Sequence, residues 1–228
     1  MKLSAFFCIL PAVVVAEVES NIPLGVEAVT GYRTEYIHRG MSLADDVIDF
    51  QLESGFALSD TWSIGLGGWH AAGTASEANF SETSGSVELR YDEKSFSSGW
   101  ALGYRSFSGS QLIDGLETGP FCSWHATADL DVNAELRYDD GARTWYAKAE
   151  LYWSKPLDKK SFVSALAGIS AVGDYYDRKG LNDVFLRISY TYNVASNVSL
   201  TPFLGSSIGL DEIAEDRGYG GVWFEVSF

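Results

Sequence analysis

Apolar and polar side chains alternate with a period of two along most of the chain, the mark of strands with one face in an apolar medium and the other in a wet one. The alternation is clearest over 47–58, where Ile48, Phe50, Leu52, Phe56 and Leu58 oppose Asp49, Gln51 and Glu53. Segments 62–67, 86–91, 100–105, 132–138, 145–153 and 184–192 repeat it. Their polar faces carry Glu88, Arg90, Arg105, Glu135, Arg137, Lys148, Glu150 and Arg187. The first segment, about 24–38, sets Leu24, Val26, Ala28, Tyr32 and Tyr36 against Glu27, Arg33 and Glu35, with Arg39 following. Segment 162–173 is less polar on both faces, and 198–204 is brief. The last, 220–228, sets Val222, Phe224, Val226 and Phe228 against Glu225. The weakest is 119–127, whose mixed polarity and Pro120 predict a strand start or a bulge, because proline cannot donate to a ladder. The pattern predicts an all-β protein of about twelve strands.

The connections predict how those strands close. Short turns fall near 59–60, 92–95, 128–131, 157–160 and 194–197. Longer ones fall near 40–46, 72–81, 108–118, 173–180 and 210–218, while 139–143 is short where a long loop is due. This asymmetry predicts a transmembrane antiparallel up-and-down β-barrel, with short periplasmic turns and longer acidic extracellular loops. With both termini on the short-turn rim, the strand number must be even. A soluble sandwich or barrel would also alternate. It would bury the apolar face, however, and the polar face here carries charges of both signs that a dry interior could not take. Tyr36, Trp62, Tyr91, Trp100, Tyr138, Trp145, Trp153 and Tyr192 fall near the ends of the apolar stripes, as in the aromatic belts of membrane interfaces.

Composition narrows the classes further. The formal net charge of -15 repels phosphate backbones and excludes nucleic acid as a partner. Lys2 and the apolar run to Ala16, too short to cross a bilayer, predict a signal peptide over 1–16 and a barrel over 17–228. Loss of the signal removes Cys8 and leaves Cys122 alone, so no intramolecular disulfide is expected. No zinc or haem spacing occurs, and no cofactor or metal is expected.

The stretch from Gly220 to Phe228 resembles the closing strand and terminal assembly signal of bacterial outer-membrane β-barrels, with a final aromatic preceded by apolar residues at every second position. The resemblance implies the bacterial outer membrane as location, after export. It also implies the barrel-assembly machinery, outer-membrane lipid and lipopolysaccharide as partners. Tyr36-Ile37-His38-Arg39-Gly40-Met41-Ser42 resembles a motif of the Gcw_chp family of exported bacterial barrels, which has no assigned activity. The likeness recurs over 146–190 and implies a barrel without supplying catalytic residues. Physically, Gly40 permits a sharp turn out of the first strand and Arg39 points into the lumen, so that Tyr36, Arg39, Gly40 and Ser42 form a loop anchor.

The expected lumen lining is Glu27, Arg33, Glu35, Asp49, Glu53, Glu88, Arg90, Arg105, Glu135, Arg137, Lys148, Glu150, Arg187 and Glu225. Opposite charges fall on neighbouring strands, Glu88 and Arg90 against Arg105, and Glu135 and Arg137 against Lys148 and Glu150. One reading is a narrow, porin-like hydrated channel for small polar or cationic solutes, with acidic loops at its mouth. The other is a salt-bridge lattice that fills a non-conducting structural or adhesive barrel. Acidic residues placed at the long-loop rim include Asp45, Asp46, Glu77, Glu82, Asp114, Glu117, Asp139 and Asp140. The rival class is a lipid- or peptide-hydrolysing barrel, which needs a histidine paired with serine or carboxylate near the outer rim. His38 and His70 would both approach that rim near Ser42, Asp45 and Asp46, and His125 lies near Ser123. None sits in a recognisable hydrolase motif, so no catalytic residue and no enzyme activity is expected.

Overall fold

The alternating segments become strands in the computed structural model, which describes residues 25–74, 79–210 and 216–228. They are β1 (Gly25–His38), β2 (Met41–Ala57), β3 (Trp62–Gly73), β4 (Ser81–Asp92), β5 (Phe96–Ser108), β6 (Gly115–Thr127), β7 (Leu130–Asp139), β8 (Thr144–Pro156), β9 (Ser161–Tyr175), β10 (Arg178–Ala195), β11 (Val198–Gly209) and β12 (Arg217–Ser227). Each pairs antiparallel with its chain neighbours, and β1 closes onto β12 with Glu27 opposite Ser227 through Arg33 opposite Gly221. The result is a closed twelve-stranded up-and-down barrel without a free sheet edge. Strands of 10 to 18 residues meet or exceed the roughly 9–11 that a tilted strand needs to cross a bilayer. No helix among the described residues is long and apolar enough to do so.

The wall is inverted relative to a soluble protein. Phe50 and Leu52 are 50% and 47% exposed, whereas Asp49 and Gln51 beside them are 3% and 9% exposed. Leaving one such side chain in water forgoes about 1.5–3 kcal/mol of burial. The apolar face repeats this on strand after strand, which requires a lipid-like surrounding. Trp62, Trp100, Trp145, Trp153 and Tyr192 stand on that outer face. In β12, Val222 and Phe224 face outward and Trp223 faces inward, and Phe228, just beyond the strand, is exposed.

Several expectations are corrected. The loop expected over 40–46 is the start of β2, and only Arg39 and Gly40 form the turn. Both have positive φ, 48° and 72°, the geometry of a two-residue type I′ hairpin. The loop expected over 173–180 likewise shrinks to Tyr176 and Asp177, at φ 50° and 69°. Tight I′ turns allow long strands, so polar strand ends had read as loop. Pro120 lies within β6 rather than at its start, and the pairing with β7 resumes beyond it without a register change. Tyr36 leaves the aromatic belt and is fully buried inside. The signal peptide expected over 1–16, with Leu24 and Glu77, lies outside the described residues.

Candidate functional site

The first hairpin does not continue the wall. Alternation holds in β1 to Glu35 and then breaks, so that Glu35 and Tyr36 are both buried. Two irregularities in β2 turn the hairpin. Leu43 is an extra residue, since Tyr36 pairs with Ala44 but Ile37 pairs with Ser42. Such a bulge bends its strand and adds twist. Asp46 adopts φ 53°, and its carbonyl accepts the Thr74 N–H at 2.8 Å and the Thr74 hydroxyl at 2.6 Å. Tyr32 also donates its hydroxyl to the Asp46 carboxylate. The strand is thereby pinned where its inward and outward faces exchange.

Beyond these points the tip crosses the lumen. β7 lies six strands from β1 in either direction around the barrel, and Arg39 Nη1 donates to Asp139 Oδ2 at its end, 2.7 Å away. Arg39 Nη2 donates to Glu117 Oε1 on β6 at 2.6 Å. The guanidinium also stands 4.6 Å from the ring centre of Tyr146 on β8 and 5.4 Å from that of Tyr175 on β9. From β10, Asn182 Nδ2 donates to the Arg39 carbonyl at 2.9 Å and Arg178 Nη2 donates to the Gly40 carbonyl at 3.1 Å. One turn is therefore held by five strands of the far wall.

Charge continues away from the tip. Arg105 links Glu117, at 3.0 Å, to Glu82, at 2.7 Å, and Glu82 accepts the Tyr36 hydroxyl at 2.7 Å. Two apolar clusters cap this chain. Tyr36, Ala44, Val47, Trp69, Ala71 and Phe80 form one, and Met41 at the tip packs with Leu112, Tyr146, Val172 and Tyr175 in the other. Desolvation by these clusters strengthens the ion pairs and makes removal of any one partner costly.

Arg39 divides the interior. One cavity of about 480 Å³ lies toward β4–β8 and is lined by His38, Arg39, Ser86, Arg105, Glu117 and Arg137 among others. A second, of about 690 Å³, lies toward β1 and β8–β12 and reaches Arg33, Glu35, Lys148, Arg187, Phe203 and Trp223. Arg39 and Tyr146 border both.

Of the lining candidates read from sequence, Glu27, Arg33, Glu35, Asp49, Glu88, Arg90, Arg105, Arg137, Lys148, Glu150 and Arg187 are buried, and Glu53, Glu135 and Glu225 are half-buried. The pairing differs from expectation in one place: Arg105 binds Glu82 and Glu117, while Glu88 approaches Arg90 on its own strand at 3.8 Å. Lys148 lies 3.2 Å from Glu150 and 3.7 Å from Glu135. Of the motif residues, Tyr36, Arg39 and Gly40 are inside and Ser42 is exposed. Glu82, Glu117 and Asp139 had been placed on the acidic rim, yet all three are buried partners of arginine. Sequence reasoning also missed Tyr175, Arg178 and Asn182, because the loop expected over 173–180 left no wall there.

The histidines do not assemble a hydrolase. His38 is buried, 3.9 Å from Glu82, while His70 is exposed on the outer face and bonded to Thr83 at 2.8 Å. The barrel wall separates the two. His125 pairs with Asp131 at 2.8 Å near the short-turn rim, away from the outer mouth.

No protein-family model and no curated protein matches the chain. Solved structures match in fold. The COG4313 outer membrane channel from Pseudomonas putida F1 superposes with a TM-score of 0.65 at 11% identity, over 95% of this chain and 100% of that one. The KdgM porin gives 0.59 at 11% identity, over 89% and 99%. The NanC porin gives 0.57 at 12% identity, over 90% and 99%. The architecture is that of outer-membrane barrels.

Proposed function

We propose that this protein is a bacterial outer-membrane channel, narrowed by its own first hairpin, that passes small polar solutes on either side of Arg39. The observation that carries this reading is the pair of charged cavities, about 480 and 690 Å³, that the hairpin leaves open. A barrel serving only as structure would fill its lumen with side chains, as eight-stranded barrels do. The fold shared with porins and channels supports the class and leaves the solute open. A preference for cations would rest on Glu27, which faces Glu53 across β1 and β2, with Glu225 on β12 nearby in register.

The same reading covers how the chain reaches its place. A signal peptide over 1–16 would export it, and the β12 strand ending in Phe228 would engage the barrel-assembly machinery. Outer-rim carboxylates such as Asp45 and Asp140 would meet lipopolysaccharide through divalent cations. The likeness of Tyr36–Ser42 to the Gcw_chp motif would make the inward hairpin a trait of that family.

The refolded mature chain in a planar bilayer tests the proposal. Discrete conductance steps, well below those of an open sixteen-stranded porin, are expected. Silence across repeated insertions would leave the structural barrel as the better reading.

A further inference from the structure

The larger cavity contains a cation that no described residue neutralises. Arg187 is 4% exposed, its Nη2 atom has no hydrogen-bond partner, and no ion pair forms to it among the described residues. A buried guanidinium nitrogen without an acceptor costs more than a lost hydrogen bond, so its persistence calls for a missing anion or an ordered water. The other cations around this cavity are committed: Arg33 to Asp49, Lys148 to Glu150, and Arg39 to Glu117 and Asp139.

An aromatic platform adjoins it. Trp223 and Phe203 stack with centroids 3.8 Å apart and planes 18° from parallel. The Arg187 guanidinium carbon lies 5.0 Å from the Trp223 ring centre, and that of Arg33 lies 6.0 Å from it. The indole Nε1 of Trp223 is buried and unbonded as well. The rings reach this position because the wall beneath them is glycine. A side chain at Gly31 would strike Trp223, and one at Gly221 would strike Phe203. The cavity also borders Tyr219, two residues from the half-exposed Arg217, so it rises toward the loop rim.

From this geometry we infer that the cavity is a binding site for a small organic carboxylate with a flat apolar face, its carboxylate on Arg187 and its face against the Trp223–Phe203 stack. Guanidinium and carboxylate match as a planar, charge-assisted pair. The net charge of -15 argues for the opposite solute, but the carboxylates that line this cavity are engaged, Glu35 with Arg217, Glu150 with Lys148 and Asp183 with Ser170, Asn182 and Ser207, and surface charge is screened over about 8–10 Å by salt. The inference names a ligand for the proposed channel and rests on that reading only for the ligand's entry. Binding is measured without conductance, so the two can fail separately.

The test is titration calorimetry of the refolded protein in detergent with benzoate, benzamide and inorganic phosphate as separate probes. Benzoate is expected to bind with a Kd of about 1 mM or tighter. Benzamide, equal in shape and uncharged, is expected to bind at least about tenfold more weakly, as is phosphate, which has the charge without the ring. Arg187→Gln, with folding checked by heat-modifiable mobility, should remove the benzoate signal. Equal binding of benzoate and benzamide, no binding of benzoate, or phosphate binding as tight as benzoate would each overturn the inference. The wild-type comparison decides the matter even if the variant does not fold.

Discussion

Arg39 is the residue on which the interior turns. Its guanidinium joins Glu117 and Asp139 while its carbonyl accepts from Asn182, so side chain and backbone fasten the hairpin to different strands. Breaking a buried pair by deleting one partner costs about 3–5 kcal/mol, because the charge left behind is unpaired. Arg105 still holds Glu117, which puts Arg39→Ala toward the lower end. We expect that variant to lose its heat-modifiable gel shift at a lower temperature than wild type, with Arg39→Lys in between, since lysine keeps charge but not the two-pronged geometry. Gly40 is constrained from two sides. Its φ of 72° disfavours a β-branched residue, and a side chain there would press on Asn182, Asp183 and Arg178. Gly40→Val should loosen the same anchor. Residue roles were only half legible in the sequence. Arg39-Gly40 announced an inward arginine at a sharp turn, but its acceptors Glu117 and Asp139 sit at strand ends where acidic residues read as solvated rim.

At the scale of the element, the hairpin of β1 and β2 behaves differently from the other strands because of Leu43 and Asp46. Period-two alternation showed nearly every strand and then failed over 36–47, where the hairpin leaves the wall: Tyr36, His38, Met41, Ala44 and Val47 are buried inside, while Ser42 and Asp45 are exposed. A break in alternation reads as a loop. Only the bulge and the left-handed Asp46 distinguish it, and neither follows from local composition. Removing the extra residue should straighten the hairpin. In the deletion of Leu43 we expect trypsin to cleave the folded barrel after Arg39, a bond that stays resistant while the wild-type tip is buried; resistance of the deletion would show that the bulge does not aim the hairpin. The opposite end of the sheet makes a separate prediction. Phe228 donates its N–H to the Val26 carbonyl at 2.8 Å and leaves its ring exposed, so its removal costs little packing. If that ring is read during assembly, deletion of Phe228 should reduce the folded outer-membrane fraction in cells while leaving refolding in detergent close to wild type.

For the whole molecule, closure follows from an even number of strands with an apolar outer face and a charged inner one. That much was written in the period-two pattern, because lipid imposes it on every spanning strand. What the pattern could not show is how full the lumen is. Filling depends on one hairpin folding across to β6–β10, a long-range arrangement that no local signal encodes. The decisive comparison is single-channel conductance of the wild-type barrel against one in which residues 37–43 are replaced by Asn-Gly, joining Tyr36 to Ala44 by a short turn. With the plug removed, conductance steps should grow by about twofold or more, because a twelve-stranded lumen then lacks its crossing element. Steps of equal size in the two barrels would contradict a hairpin that narrows the channel.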